Sequence, residues 1–290
     1  MSRGTRGGRP SPAMGSRSLA MGAAASLFLF AVAPRAGAAI VVVGELSQER
    51  VVEPGKAYPG AIAIRNLGDA AEMVKVYLTD YLFYRDGSNL YGEPGKAPRS
   101  NARWITLNPS ILSIPARETA KVSYQIAVPA DPSLKGTYWS IAMVEGMGEA
   151  VPQVVDAQNG RARVGVRHVV RYGVQLVTDI GESGTRSLKF DTRLVRAEGK
   201  RLLEVDVENT GERWLRPSLW AQLFDEEGRF VGKFDGRRAR VYPGTSVRKS
   251  IDLSTVPPGT YRALVVADAG EDSVYGATYT LKLETEKAEK

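Results

Sequence analysis

Apolar and polar residues alternate in short runs along most of the chain: Ile62 and Ile64, then Val122, Tyr124 and Ile126, then Leu203, Val205 and Val207, and finally Tyr279, Leu281 and Leu283. A period of two puts successive side chains on opposite faces of an extended strand, so each run predicts a strand with one buried face. The runs are punctuated by Asp86-Gly87, Asn159-Gly160, Glu227-Gly228 and Asp235-Gly236, where glycine can take positive φ without steric cost. Beyond the amino-terminal segment there is no long stretch with helical spacing. Short strands separated by regular turns predict an all-β sandwich or barrel, and immunoglobulin-like β-sandwiches in tandem are the expectation.

A diverged internal repeat sets the number of sandwiches at two. Asn66-Leu67-Gly68 matches Asn209-Thr210-Gly211, Pro115 matches Pro243, and Gly136-Thr137-Tyr138 matches Gly259-Thr260-Tyr261, all in the same order. The offset shrinks along the chain, so the first copy carries extra residues, mostly in the Gly- and Pro-rich stretch from Arg85 to Arg103. The break at Gly181 to Thr185 divides a first sandwich, 39–182, from a second, 183–284. Residues 285–290 are charged or small and predict a frayed tail.

The first 38 residues change the picture of location. Arg3, Arg6, Arg9 and Arg17 precede an apolar run from Leu19 to Val32, and Ala36-Gly37-Ala38 supplies small residues for cleavage. This is the pattern of a signal peptide ending at Ala38, with Met1 or Met14 as the start. It predicts an exported protein, periplasmic or on the cell surface, with no membrane span in the mature chain. It also reduces the charge: five of the 39 basic residues lie in the leader, leaving 34 against 32 acidic ones, or about +2. So small an excess gives no electrostatic case for a nucleic-acid partner. With no Cys, disulfides and thiol chemistry are excluded, and each sandwich must hold by core burial.

Candidate chemistry is sparse. The only His, His168, sits in a strand-like run without a nearby nucleophile signature, so neither a catalytic triad nor a His-based metal cluster is indicated. Ser246-Val247-Arg248-Lys249 has the letters of a Ser-x-x-Lys pair, but on a strand, positions three apart face opposite sides. Asp86, Asn89 and Glu93 miss the spacing of a calcium loop, and Gly146-Met147-Gly148 opens no helix that could cradle a phosphate. The expectation is a protein that is not an enzyme, has no cofactor, and works by binding another molecule.

Three stretches carry a family resemblance. They are Arg50-Val51-Val52-Glu53-Pro54-Gly55-Lys56 with the strand ending Ile64-Arg65-Asn66-Leu67; Trp104-Ile105-Thr106-Leu107-Asn108-Pro109 with the segment through Ile111, Leu112, Ile114 and Pro115 to the strand from Val122; and Tyr138 to Glu145, followed by a loop and the run from Val164 to Val177. Together they resemble the first domain of PapD-like periplasmic pilus chaperones. The resemblance implies a chaperone that binds an exported, pilin-like subunit by strand addition and captures its terminal carboxylate. By position, Arg50 and Arg171 would form the carboxylate clamp, lying close together in the cleft between the sandwiches, with Val170, Tyr172, Val174 and Leu176 as the inserted face. The sequence departs from the family at three points: an Arg stands where Lys is usual, Gly173 interrupts the apolar face, and Gly146-Met147-Gly148 replaces a Pro-rich segment. The layout is also similar to cell-surface immunoglobulin-like proteins that hold surface proteins or wall polymers, for which an exposed aromatic patch of Trp214 and Trp220 would speak.

Overall fold

The computed structural model describes residues 40–148, 155–156, 161–162, 169–270 and 273–284. The leader at 1–38, the tail at 285–290, His168 and the Asn159-Gly160 turn lie outside the described residues. Twelve strands precede the break: β1 Ile40–Val43, β2 Ser47–Val52, β3 Ala57–Asn66, β4 Glu72–Phe83, β5 Asn89–Gly92, β6 Ile105–Asn108, β7 Ile111–Ile114, β8 Thr119–Ala127, β9 Gly136–Gly146, β10 Val155–Asp156, β11 Arg161–Ala162 and β12 Arg171–Ile180. Seven follow among the described residues: β13 Leu188–Ala197, β14 Lys200–Asn209, β15 Ser218–Phe224, β16 Phe230–Asp235, β17 Ser246–Asp252, β18 Gly259–Asp268 and β19 Val274–Leu283.

The first sandwich packs the sheet β1-β3-β8-β6 against the sheet β2-β12-β9-β4-β5, with β7 on β4. The second packs β13-β14-β17 against β16-β15-β18-β19. The alternation read from the sequence is what fills each core. Ile62, Ile64, Val122, Tyr124 and Ile126 enter the first, and Leu203, Val205, Val207, Leu281 and Leu283 enter the second. Each such side chain contributes about 1.5–3 kcal/mol by leaving water, which stands in for the absent disulfides.

The repeat found in the sequence marks one structural corner built twice. Asn66 is wholly buried and donates from Nδ2 to the carbonyls of Ala70, Ile114 and Pro115, while its Oδ1 accepts from the Gly68 amide. Asn209, also wholly buried, donates to the carbonyls of Arg213 and Val241 and accepts from the Gly211 amide. Only a side chain with a donor and an acceptor at this reach satisfies both sets of main-chain groups, so the Asn recurs where the surrounding sequence does not. The third match falls at the starts of β9 and β18, at Gly136 and Gly259.

The extra residues of the first copy are anchored by the buried carboxylate of Asp80, which accepts from the amides of Gly95, Lys96 and Ala97 and from the Ser100 hydroxyl. The two sandwiches pack into one compact unit. Between them Tyr242 of the second stacks on Trp139 of the first, centroids 4.6 Å apart and rings 12° from parallel, with Val177 completing the cluster.

Candidate binding edge

The first strand changes sheets. β1 pairs with β3; at Gly44 the backbone takes φ +101°, where no Cβ would touch anything within 4 Å, so the glycine serves conformation rather than packing. From Ser47 the chain runs parallel to β12 in the opposite sheet. Because residues 40–43 are spent in the other sheet, β2 covers only part of β12.

The register shows which part. Residues 175–180 of β12 pair with 47–52 on one side and with 136–141 of β9 on the other. The Gln175 amide donates to the Leu46 carbonyl and the Gly181 amide to the Val52 carbonyl, which bracket the covered length. Among the described residues, 171–174 pair with β9 alone. The main-chain groups of Arg171 and Gly173 point the same way as those of Gln175, by the alternation of a strand. Among the described residues no strand takes them.

Apolar side chains crowd this opening. Val43 and Leu46 on the sheet-switching turn, Met147 just beyond β9, and Val169 and Val170 ahead of β12 are between 38% and 49% exposed. Extending the β9–β12 register by two residues sets Val169 across from Met147. An unpaired strand edge bordered by exposed apolar side chains is a template for another strand.

The residues singled out from the sequence divide along this line. Arg171, exposed, and Tyr172, half-buried, lie on the open half of β12, with exposed Val170 just ahead of it. Val174 and Leu176 are wholly buried in the core of the first sandwich. They correct the expectation of an inserted face: their alternation fills their own sandwich.

The Arg50–Arg171 clamp is corrected as well. Arg50 pairs with Thr178, seven residues along β12 from Arg171, which is about 23 Å at the usual rise of a strand. An odd separation also puts the two side chains on opposite faces of the sheet. Arg171 instead donates from Nε to Oε2 of Glu145 across the ladder at 2.8 Å, and the Tyr77 hydroxyl donates to the same oxygen at 3.1 Å. Burial works against ionising Glu145, but these hydrogen bonds outweigh it and hold its pKa below the ordinary carboxylate value.

The cleft between the sandwiches is filled by residues that sequence reasoning assigned elsewhere or missed. Tyr242 donates its hydroxyl to Gln175 Oε1 at 2.7 Å, and burial, the largest influence, pushes its pKa up to about 12. Arg240 lies 4.4 Å over the Trp214 ring and donates to Ser47 and Glu49 of β2. Trp214 donates from its indole nitrogen to Asp179 at 3.0 Å, and Arg213 donates to the carbonyls of Gly181 and Ser183. Trp214 thus belongs to the joint, while Trp220 sits under Lys233 on β15, so the two do not form an exposed patch. One signal was available: Arg213-Trp214 occupy the positions after the Asn209 corner where the first copy has Ala70-Ala71. Bulk at one copy of a repeated corner marks a surface with something to pack against.

No known family matches the sequence, and no curated protein matches it. Solved structures do resemble the fold. One is the chaperone–tip adhesin complex of CFA/I fimbriae, at 10% identity and TM-score 0.46, covering 83% of this chain and 97% of that one. A second is the CsuC–CsuE chaperone–tip adhesion subunit pre-assembly complex from the archaic Csu pili of Acinetobacter baumannii, at 15% identity and TM-score 0.42, covering 82% and 98%. A third is the class 5 fimbriae chaperone CfaA, at 10% identity and TM-score 0.42, covering 83% and 98%.

Proposed function

We propose that this chain is a non-catalytic chaperone of the fimbrial type, exported beyond the inner membrane, that binds a pilin-like subunit by adding one of the subunit's strands to the open half of β12. The observation that carries the reading is the pair of unspent main-chain edges at Arg171 and Gly173, set among exposed Val43, Leu46, Met147, Val169 and Val170. Strand addition supplies affinity through main-chain pairing and specificity through alternate side chains. In this reading Val170, Arg171 and Tyr172 face the client, and Val174 and Leu176 support the edge from inside. Pairing through Glu145 leaves Arg171 outside any two-arginine clamp, so client recognition rests on the edge and its apolar border.

The test is capture of the exported chain from its own cell envelope. Recovery of a pilin-like subunit supports the reading. Recovery of mature surface protein or wall polymer alone points to the surface-binder alternative and overturns it.

A further inference from the structure

A second site lies in the cleft between the sandwiches. A cavity of about 360 Å³ opens there, within the size range of small-ligand sites. One wall is aromatic: Tyr81, Phe83 and Tyr84 are each half-buried, and the rings of Tyr81 and Phe83 are 5.5 Å apart, tilted by 37°. Gln175, Arg85 and Lys249 also line the cavity.

Counting hydrogen bonds shows what the cavity has to offer. Two of its side-chain acceptors are engaged: Asn89 Oδ1 accepts from the Tyr81 hydroxyl at 2.6 Å, and Gln175 Oε1 accepts from Tyr242. Two of its cations are also taken, Arg240 by Glu49 and Arg248 by Asp206. Among the described residues, the cavity offers donors at the Gln175 amide nitrogen, the Lys249 ammonium, which has no carboxylate partner, and the half-exposed guanidinium of Arg85, whose carboxylate contact is at 3.7 Å, beside the hydroxyl of Tyr84. A ligand for this space must be rich in acceptors, carry negative charge, and present a flat apolar face to the rings.

A peptide is the competing class, because β17, which carries Lys249, pairs only with β14 and leaves its other edge without a strand among the described residues. A sugar acid brings a carboxylate, ring and hydroxyl oxygens, and a C–H face in one unit.

We propose that this cavity binds an acidic saccharide of the hexuronate class. The sugar's C–H face lies on Tyr81 and Phe83, its carboxylate meets Lys249 and Arg85, and a ring or hydroxyl oxygen accepts from Gln175. The proposal does not rest on the strand-addition reading, although Gln175, which lines the cavity, bonds to Leu46 at the border of the open edge.

Titration calorimetry on the full exported chain tests it, with trigalacturonate as probe, maltotriose as the neutral control and an acidic tripeptide, acetyl-Gly-Glu-Tyr, as the competing class. Trigalacturonate is expected to bind, with affinity falling as salt rises. Lys249→Ala should weaken it about tenfold or more, the worth of one charge-assisted hydrogen bond, and Lys249→Arg should recover most of the loss. Phe83→Ala should weaken it too, and Lys249→Ala keeps the test valid should that variant fold poorly. Val170→Lys at the open edge should leave saccharide affinity unchanged, whether or not a subunit is bound there. Absence of trigalacturonate binding at millimolar concentration, equal affinity for maltotriose, or preference for the tripeptide would each overturn the proposal.

Discussion

Strand β12 lives in two environments. From Gln175 to Ile180 it has a strand on each side, the core beneath it, and the Trp139–Tyr242 stack at its interface end. From Arg171 to Val174 one edge is open among the described residues, and its neighbours are exposed. The difference arises in the first strand, which leaves one sheet at Gly44 and reaches β12 only at Gln175. One strand can therefore hold a sandwich together with one half and present pairing groups with the other, provided its neighbour arrives late.

The largest expected effect lies in the covered half. Tyr242→Ala removes a wholly buried ring stacked between the sandwiches and should cost about 3–5 kcal/mol in chemical denaturation. A cost under about 1 kcal/mol would mean that the joint is not part of the cooperative fold. A milder change reads the same ring through pH. The folded pKa of Tyr242 is raised from the ordinary 10.0 to about 12, so folding favours its neutral form. That contribution, about 2–3 kcal/mol, is fully present below pH 10 and is lost as pH rises from 10 towards 12. Tyr242→Phe should flatten that part of the stability profile relative to the parent chain. An unchanged slope would show that Tyr242 ionises freely.

The smallest effect on stability belongs to the open half. Val170→Lys replaces an exposed side chain ahead of β12 and should shift stability by less than about 0.5 kcal/mol. It should nonetheless reduce subunit capture strongly, since a charge at a bare edge blocks strand pairing. Loss of stability comparable to that of Tyr242→Ala would erase the distinction between the halves.

The fold was largely legible because alternation reports burial and each copy of the repeated corner needs its Asn. Ile62 and Ile64, or Leu203 and Val205, are buried by the same period that predicted their strands. The site was less legible because alternation says nothing about which main-chain edge has a partner. Val174 and Leu176 follow the same pattern whether they fill a neighbour or their own core. Arg50 and Arg171 were joined through the family resemblance, and their separation depends on a parallel register that leaves no local mark in either segment. Arg240 and Tyr242 escaped notice because they lie in the second sandwich yet act on the first, through Ser47, Glu49 and Gln175.

Amide hydrogen exchange along β12, in the free chain and with the subunit bound, addresses the two halves at once. In the free chain the amides of Arg171 and Gly173 should exchange far faster than those of Gln175 and Val177, which face the covered edge. Binding of the subunit should slow Arg171 and Gly173 and leave Gln175 and Val177 as they were. Protection of Arg171 and Gly173 already in the free chain, or their continued fast exchange in the complex, would contradict strand addition at this edge.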